Sequence, residues 1–112
     1  MIIATEQKDN FSLLKINKDR LDSTISSDLK AELVKLNKSG EKNIIVDLSG
    51  VKYCDSSGLS ALLIGNRLCN ESEGKFVINS LQKMVEQMIT ISQLDKILNI
   101  SENIEEGNEM LA

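Results

Sequence analysis

The hydrophobic pattern of this 112-residue chain changes period again and again, and no other feature restricts its fold as tightly. Ile25, Leu29, Leu33 and Leu36 recur at helical spacing, whereas Ile44-Ile45-Val46-Asp47-Leu48 is a compact β-branched run without helical length. Helical spacing returns at Leu59, Leu62, Leu63 and Leu68. A second short run follows at Phe76-Val77-Ile78, then a third helical pattern at Leu81, Met84, Val85, Met88 and Ile89. Ile97-Leu98-Asn99-Ile100 reads as a last strand. Upstream, Ile2-Ile3 and the segment Phe11 to Ile16 flank the turn-forming Lys8-Asp9-Asn10, the signature of a hairpin. Strands alternating with helices require parallel pairs and helical crossovers. The expected fold is α/β: a central mixed sheet of four to five strands with an N-terminal hairpin, and helices packed against it.

Local signals place the helix ends. Ser26 or Ser27 is suited to cap the first helix, Asp28 to its first turn, and Gly40 to a left-handed stop. Ser80 is the expected cap of the third helix. Ser101, with Glu102, Glu105 and Glu106, opens a short C-terminal helix over about 101–111, which Gly107 should interrupt. Proline is absent and no linker is visible, so residues 1–112 read as one domain with its core in about 1–100.

Composition narrows the function. The net charge is 13 − 17 = −4, with a pI near 4.8, which argues against direct nucleic-acid binding. Histidine is absent, removing the commonest general base and metal ligand. A serine hydrolase lacks its histidine, no glycine-rich phosphate loop is present, and Asp47 with Asp55 does not make a receiver-type acidic cluster. The expectation is a protein that is not an enzyme and needs no cofactor or metal. Met1-Ile2-Ile3-Ala4 runs straight into Thr5-Glu6-Gln7-Lys8, unlike a signal peptide, and no apolar run approaches the ~20 residues of a membrane span. A cytoplasmic, membrane-free chain would keep Cys54 and Cys69 reduced, where they act as small buried hydrophobes; a redox pair is the alternative.

One stretch carries chemistry. The strand run leads through Tyr53-Cys54 to Asp55-Ser56-Ser57-Gly58 at the start of the second helix. All three of Asp55, Ser56 and Ser57 can accept hydrogen bonds from unpaired helix amides, and Gly58 leaves room for another molecule's backbone. A helix N-terminus also tolerates a phosphate on a nearby serine. Simple capping is the plain alternative, yet three capping residues exceed what one helix end needs.

The segment from Ile44 to Leu59, with its Val46-Asp47-Leu48 strand end, Tyr53 and Asp55-Ser56-Ser57-Gly58-Leu59, resembles the signature of the STAS domain family, and more narrowly the bacterial anti-sigma factor antagonists. The N-terminal hairpin, Leu21-Asp22 before the first helix and a C-terminal strand after the Leu94 turn follow the same order, over about residues 1–105. Three positions depart from the family pattern. Asp19-Arg20 stands where Gly-Glu is common, Cys54 where Met is frequent, and Ser92-Gln93-Leu94 where Ser-Gly-Leu is usual.

The resemblance implies partner switching. An anti-sigma factor serine kinase would phosphorylate Ser56, the unphosphorylated chain would bind that kinase and free the sigma factor, and a metal-dependent serine phosphatase would reset it. Asp22, Asp55, Ser57 and Gly58 would belong to the partner-binding face. A constitutive STAS scaffold in a transporter or signalling assembly, without the phosphate switch, is the alternative.

Overall fold

Ile44–Asp47 forms a strand buried at every position, β4, and the rest of the molecule is arranged around it. A strand covered on both faces needs apolar side chains on both, which is why its sequence does not alternate. In the computed structural model, which describes residues 2–111, strands β1 (Ile3–Gln7), β2 (Ser12–Ile16), β4, β6 (Phe76–Asn79) and β7 (Asn99–Ser101) lie side by side in the order β1-β2-β4-β6-β7. β1 and β2 are the antiparallel hairpin, with Ile3 opposite Ile16; every other neighbouring pair is parallel. Parallel neighbours require crossovers, supplied by α1 (Ser26–Lys38), α2 (Ser56–Glu71) and α3 (Lys83–Ile91). Two further strands, β3 (Arg20–Leu21) and β5 (Tyr53–Cys54), pair in parallel as a separate ribbon.

The large crossover helices bury their apolar stripes on one face. Leu29 and Leu33 of α1, Leu59, Leu62 and Cys69 of α2, and Val85 and Ile89 of α3 join Leu14, Ile16, Ile44, Val46, Phe76 and Ile78 in one core. The opposite face presents Phe11, Leu13, Ile45 and Val77, covered by Ile104 and Met110 of α4 (Ile104–Met110) and by Leu111.

Four local expectations are corrected. α1 has Ile25 at its cap position and no side-chain cap; Ser26 is buried inside it, and the amides of Ile25 and Ser26 bond to the Asp22 carbonyl at 3.1 and 2.9 Å. Ser80 does not cap α3 either. It sits in a left-handed turn (φ 58°), its amide on the Ser101 carbonyl and its hydroxyl on the Glu102 carbonyl, so the β6–β7 seam claims it. The last strand lies at Asn99–Ser101, later than its apolar run suggested. Finally, Asn103 caps α4 by accepting from the Glu106 amide, and Gly107 does not interrupt it. Gly107 is buried against the sheet, where an added Cβ would stand 3.0 Å from Ser101 Oγ and 3.3 Å from Ile45 Cδ1. Gly40 does adopt the expected left-handed stop after α1, with φ 99°.

Candidate functional site

The β3–β5 ribbon assembles the site. Leu21 pairs with Cys54, the amide of Asp55 donates to the Leu21 carbonyl at 3.2 Å, and the amides of Lys52 and Tyr53 both donate to the Asp19 carbonyl. Segments more than thirty positions apart in sequence are thereby fixed side by side, and each strand runs directly into an aspartate: Asp22 after β3, Asp55 after β5.

Asp55 is the N-cap of α2. Its Oδ1 accepts the amides of Ser57 (3.0 Å) and Gly58 (3.1 Å) and the hydroxyl of Ser57 (2.6 Å). The bond from the Ser57 hydroxyl, followed by that from the Gly58 amide, holds this carboxyl below the usual carboxylate range, against desolvation and the like charge of Asp22. One aspartate therefore does the capping for which three residues were available. Ser57 spends its hydroxyl on Asp55, whereas Ser56 is exposed and its hydroxyl has no protein partner among the described residues.

Gly58 has a packing role that the sequence did not show. It is buried, and an added Cβ would lie 2.4 Å from the Leu21 carbonyl oxygen and 2.8 Å from both Cys54 Sγ and Leu21 Cγ. The close approach that this glycine permits within the domain is internal: α2 starts packed against β3.

Asp22 lies in the neighbouring turn. Its Oδ1 accepts the amide (3.0 Å) and hydroxyl (2.6 Å) of Thr24, and the hydroxyl bond is the main cause of its lowered pKa. Its Oδ2 lies 3.5 Å from Arg20 Nε, and the Arg20 guanidinium stacks 4.4 Å from the centroid of the Tyr53 ring. Lys18 donates to the Thr24 hydroxyl at 2.9 Å. The contributions of Lys18, Thr24 and Tyr53 escaped the sequence reading. The available signal was the near-repeat of Asp22-Ser23-Thr24 and Asp55-Ser56-Ser57.

Both cysteines are free and buried. Burial, with the charge of Asp55 as a lesser cause, pushes the Cys54 thiol up to about 12, and burial pushes Cys69 up to about 11. Thiols so far from ionisation behave as packing groups. Among the described residues no cluster of three or more acidic or cysteine side chains could hold a metal ion, and no helix is long and apolar enough to cross a membrane.

With this geometry in hand, the comparison with known families is decisive: the profile of the STAS domain matches residues 3–107. The chain belongs to the STAS domain family. A relative, the anti-sigma-B factor antagonist of Staphylococcus aureus (strain NCTC 8325 / PS 47), is 24% identical over 103 residues, spanning 92% of this chain and 94% of its own. Among solved structures, an anti-sigma factor antagonist from Mycobacterium paratuberculosis superposes with a TM-score of 0.86 at 16% identity, covering 97% of this chain and 92% of that one. The anti-sigma factor antagonist SpoIIAA in its unphosphorylated form gives 0.81 at 16% identity, over 96% and 95% of the two chains. At these identities the structures share the fold. The relatives are regulatory proteins of the anti-sigma antagonist type, as the motif around Asp55 implied.

Proposed function

We propose that this STAS domain is an anti-sigma factor antagonist whose binding is switched by a phosphate on Ser56. In this reading the unphosphorylated chain binds a kinase-type anti-sigma factor in the cytoplasm and releases the sigma factor. Phosphorylation by that kinase ends binding, and a metal-dependent phosphatase restores it.

The observation that carries the reading is the asymmetry between adjacent hydroxyls. Ser57 is tied to Asp55 at 2.6 Å, while Ser56 stands exposed in the first turn of α2. A kinase needs a hydroxyl it can reach and orient, and only Ser56 offers one there. Phosphate adds about −1.5 to −2 charges and three acceptor oxygens. Within the domain that charge meets the positive end of α2, so the fold has no reason to rearrange. Across an interface packed around a neutral hydroxyl it must be desolvated beside Asp55 and Asp22, and a penalty of about 3 kcal/mol would weaken binding more than a hundredfold.

Incubation with ATP and purified kinase-type anti-sigma factors of the same genome tests this. One phosphoryl group per chain, mapped to Ser56, is expected. Ser56→Ala should accept none while still folding and binding, since its hydroxyl bonds to nothing among the described residues and a surface change of this kind shifts stability by only about 0.5 kcal/mol. Phosphate on Ser57 with Ser56 untouched would overturn the assignment. Equal kinase affinity before and after phosphorylation would remove the switch and leave a scaffold.

A further inference from the structure

The outer edge of the β3–β5 ribbon carries a guanidinium that the phosphate switch does not use. Arg20 is held from two sides, its plane over the Tyr53 ring at 4.4 Å and its Nε 3.5 Å from Asp22 Oδ2. Its Nη donors have no protein partner among the described residues, and its side chain is 56% exposed. Asp22 is in the reverse condition: Oδ1 is filled by the amide and hydroxyl of Thr24, Oδ2 faces Arg20, and 19% of the side chain is exposed. With two bonds on Oδ1 and an ion pair on Oδ2, this carboxylate has less to offer another molecule than the guanidinium beside it. A stacked guanidinium with free donors in a fixed fork is organised in advance for a carboxylate.

We propose that Arg20, and not Asp22, is the charged group this edge offers to the partner, and that it selects a partner presenting a carboxylate opposite it. The proposal rests on the reading that the partner docks over Asp55 and Ser56. Charge around Arg20 agrees with it. Along this stretch Lys18, Arg20 and Lys52 balance Asp19, Asp22 and Asp55, whereas the chain as a whole is at −4. An acidic partner surface thus meets less repulsion at this edge than over the rest of the domain, and the exposed guanidinium orients the encounter.

The test measures binding of the purified kinase-type anti-sigma factors of the same genome to wild type, Arg20→Glu, Arg20→Ala and Asp22→Asn, at about 50 mM and about 500 mM salt. Arg20→Glu should weaken binding at least about tenfold at low salt, less at high salt, and Arg20→Ala by an intermediate amount. Asp22→Asn should cost less than either. Replacing the facing partner carboxylate with lysine should restore binding to Arg20→Glu. Arg20→Ala keeps the question answerable if the glutamate variant does not fold. Wild-type affinity in both Arg20 variants, or a larger loss in Asp22→Asn, would overturn the proposal while leaving the switch intact. If wild type binds none of these kinases, the proposed function falls, and the role of Arg20 with it.

Discussion

Two turns in this domain are built alike and used differently. In each, an aspartate following a two-residue strand accepts the amide of the residue two positions on at 3.0 Å and its hydroxyl at 2.6 Å: Thr24 for Asp22, Ser57 for Asp55. In each, the intervening serine, Ser23 or Ser56, is exposed. The differences lie in what surrounds the carboxylate. Asp55 takes a third bond from the Gly58 amide and opens α2 directly, so its neighbour Ser56 stands at a helix N-terminus where added negative charge is tolerated. Asp22 is separated from α1 by Ser23, Thr24 and Ile25, the last of which caps without a side chain, and it meets a guanidinium in place of a third amide. The same local chemistry thus leaves an exposed hydroxyl at a helix start in one turn and a stacked cation beside the other. What differs is the second neighbour of the carboxylate, not the Asp-Ser pair.

The largest expected effect breaks the link between the turns. Gly58→Ala drives a Cβ to within 2.4 Å of the Leu21 carbonyl, a backbone atom that cannot swing aside, and should destabilise the domain by about 3 kcal/mol in urea unfolding. Unchanged stability would mean that α2 is not seated against β3 as described.

Next in size is the reactivity of the thiol under the same contact. Cys54, raised to about 12, and Cys69, raised to about 11, should label at least about 100-fold more slowly at neutral pH in the native state than after unfolding. Because the folded state keeps these protons longer, the associated stability is complete below the ordinary thiol value of 9.0 and declines as pH rises from there toward 11 to 12. Prompt native labelling of both would revive a redox role.

Much of this architecture was legible in the sequence, for a physical reason. A strand buried on both faces cannot hide its composition, so Ile44–Asp47 stood out, and so did the helices that bury a stripe on it. Helix caps were less legible, because the competition for each serine is decided by tertiary neighbours: Ser26 goes into the core, and Ser80 is drawn to β7. The motif around Asp55 was readable, but its division of labour was not. Which of two adjacent serines bonds to Asp55 is a matter of geometry alone. Arg20 over Tyr53 was least readable, since two-residue strands have no periodicity and the pairing joins positions more than thirty residues apart.

A finer comparison comes from removing each carboxylate. Asp55→Ala should lower the midpoint of thermal unfolding more than Asp22→Ala, because it strips two amides at the start of α2 as well as a hydroxyl. It should also release the Ser57 hydroxyl, so that kinase-catalysed phosphate spreads from Ser56 to Ser57. Both carboxyls are held below their ordinary value of 3.8, so the stability they add is present above that value and is lost as pH falls below it. Acid titration of the two alanine variants should show less of this loss than wild type. If Asp22→Ala proves the more damaging, the ranking of the turns is reversed.

The smallest effect lies outside both turns and serves as their control. Gln93 occupies a left-handed conformation, φ 59°, where a side chain is strained. Gln93→Gly should raise stability by up to about 1 kcal/mol in urea unfolding without altering binding or phosphorylation.

The central claim is that a single phosphate on Ser56 separates binding from folding. The most direct measurement is calorimetric titration of one kinase-type anti-sigma factor with this domain, unphosphorylated and carrying phosphoserine at position 56, alongside the thermal midpoint of each form. The phosphorylated form should bind at least about a hundredfold more weakly, with a midpoint unchanged or slightly raised. Equal affinities for the two forms, or a phosphorylated domain that loses binding only because it unfolds, would contradict it.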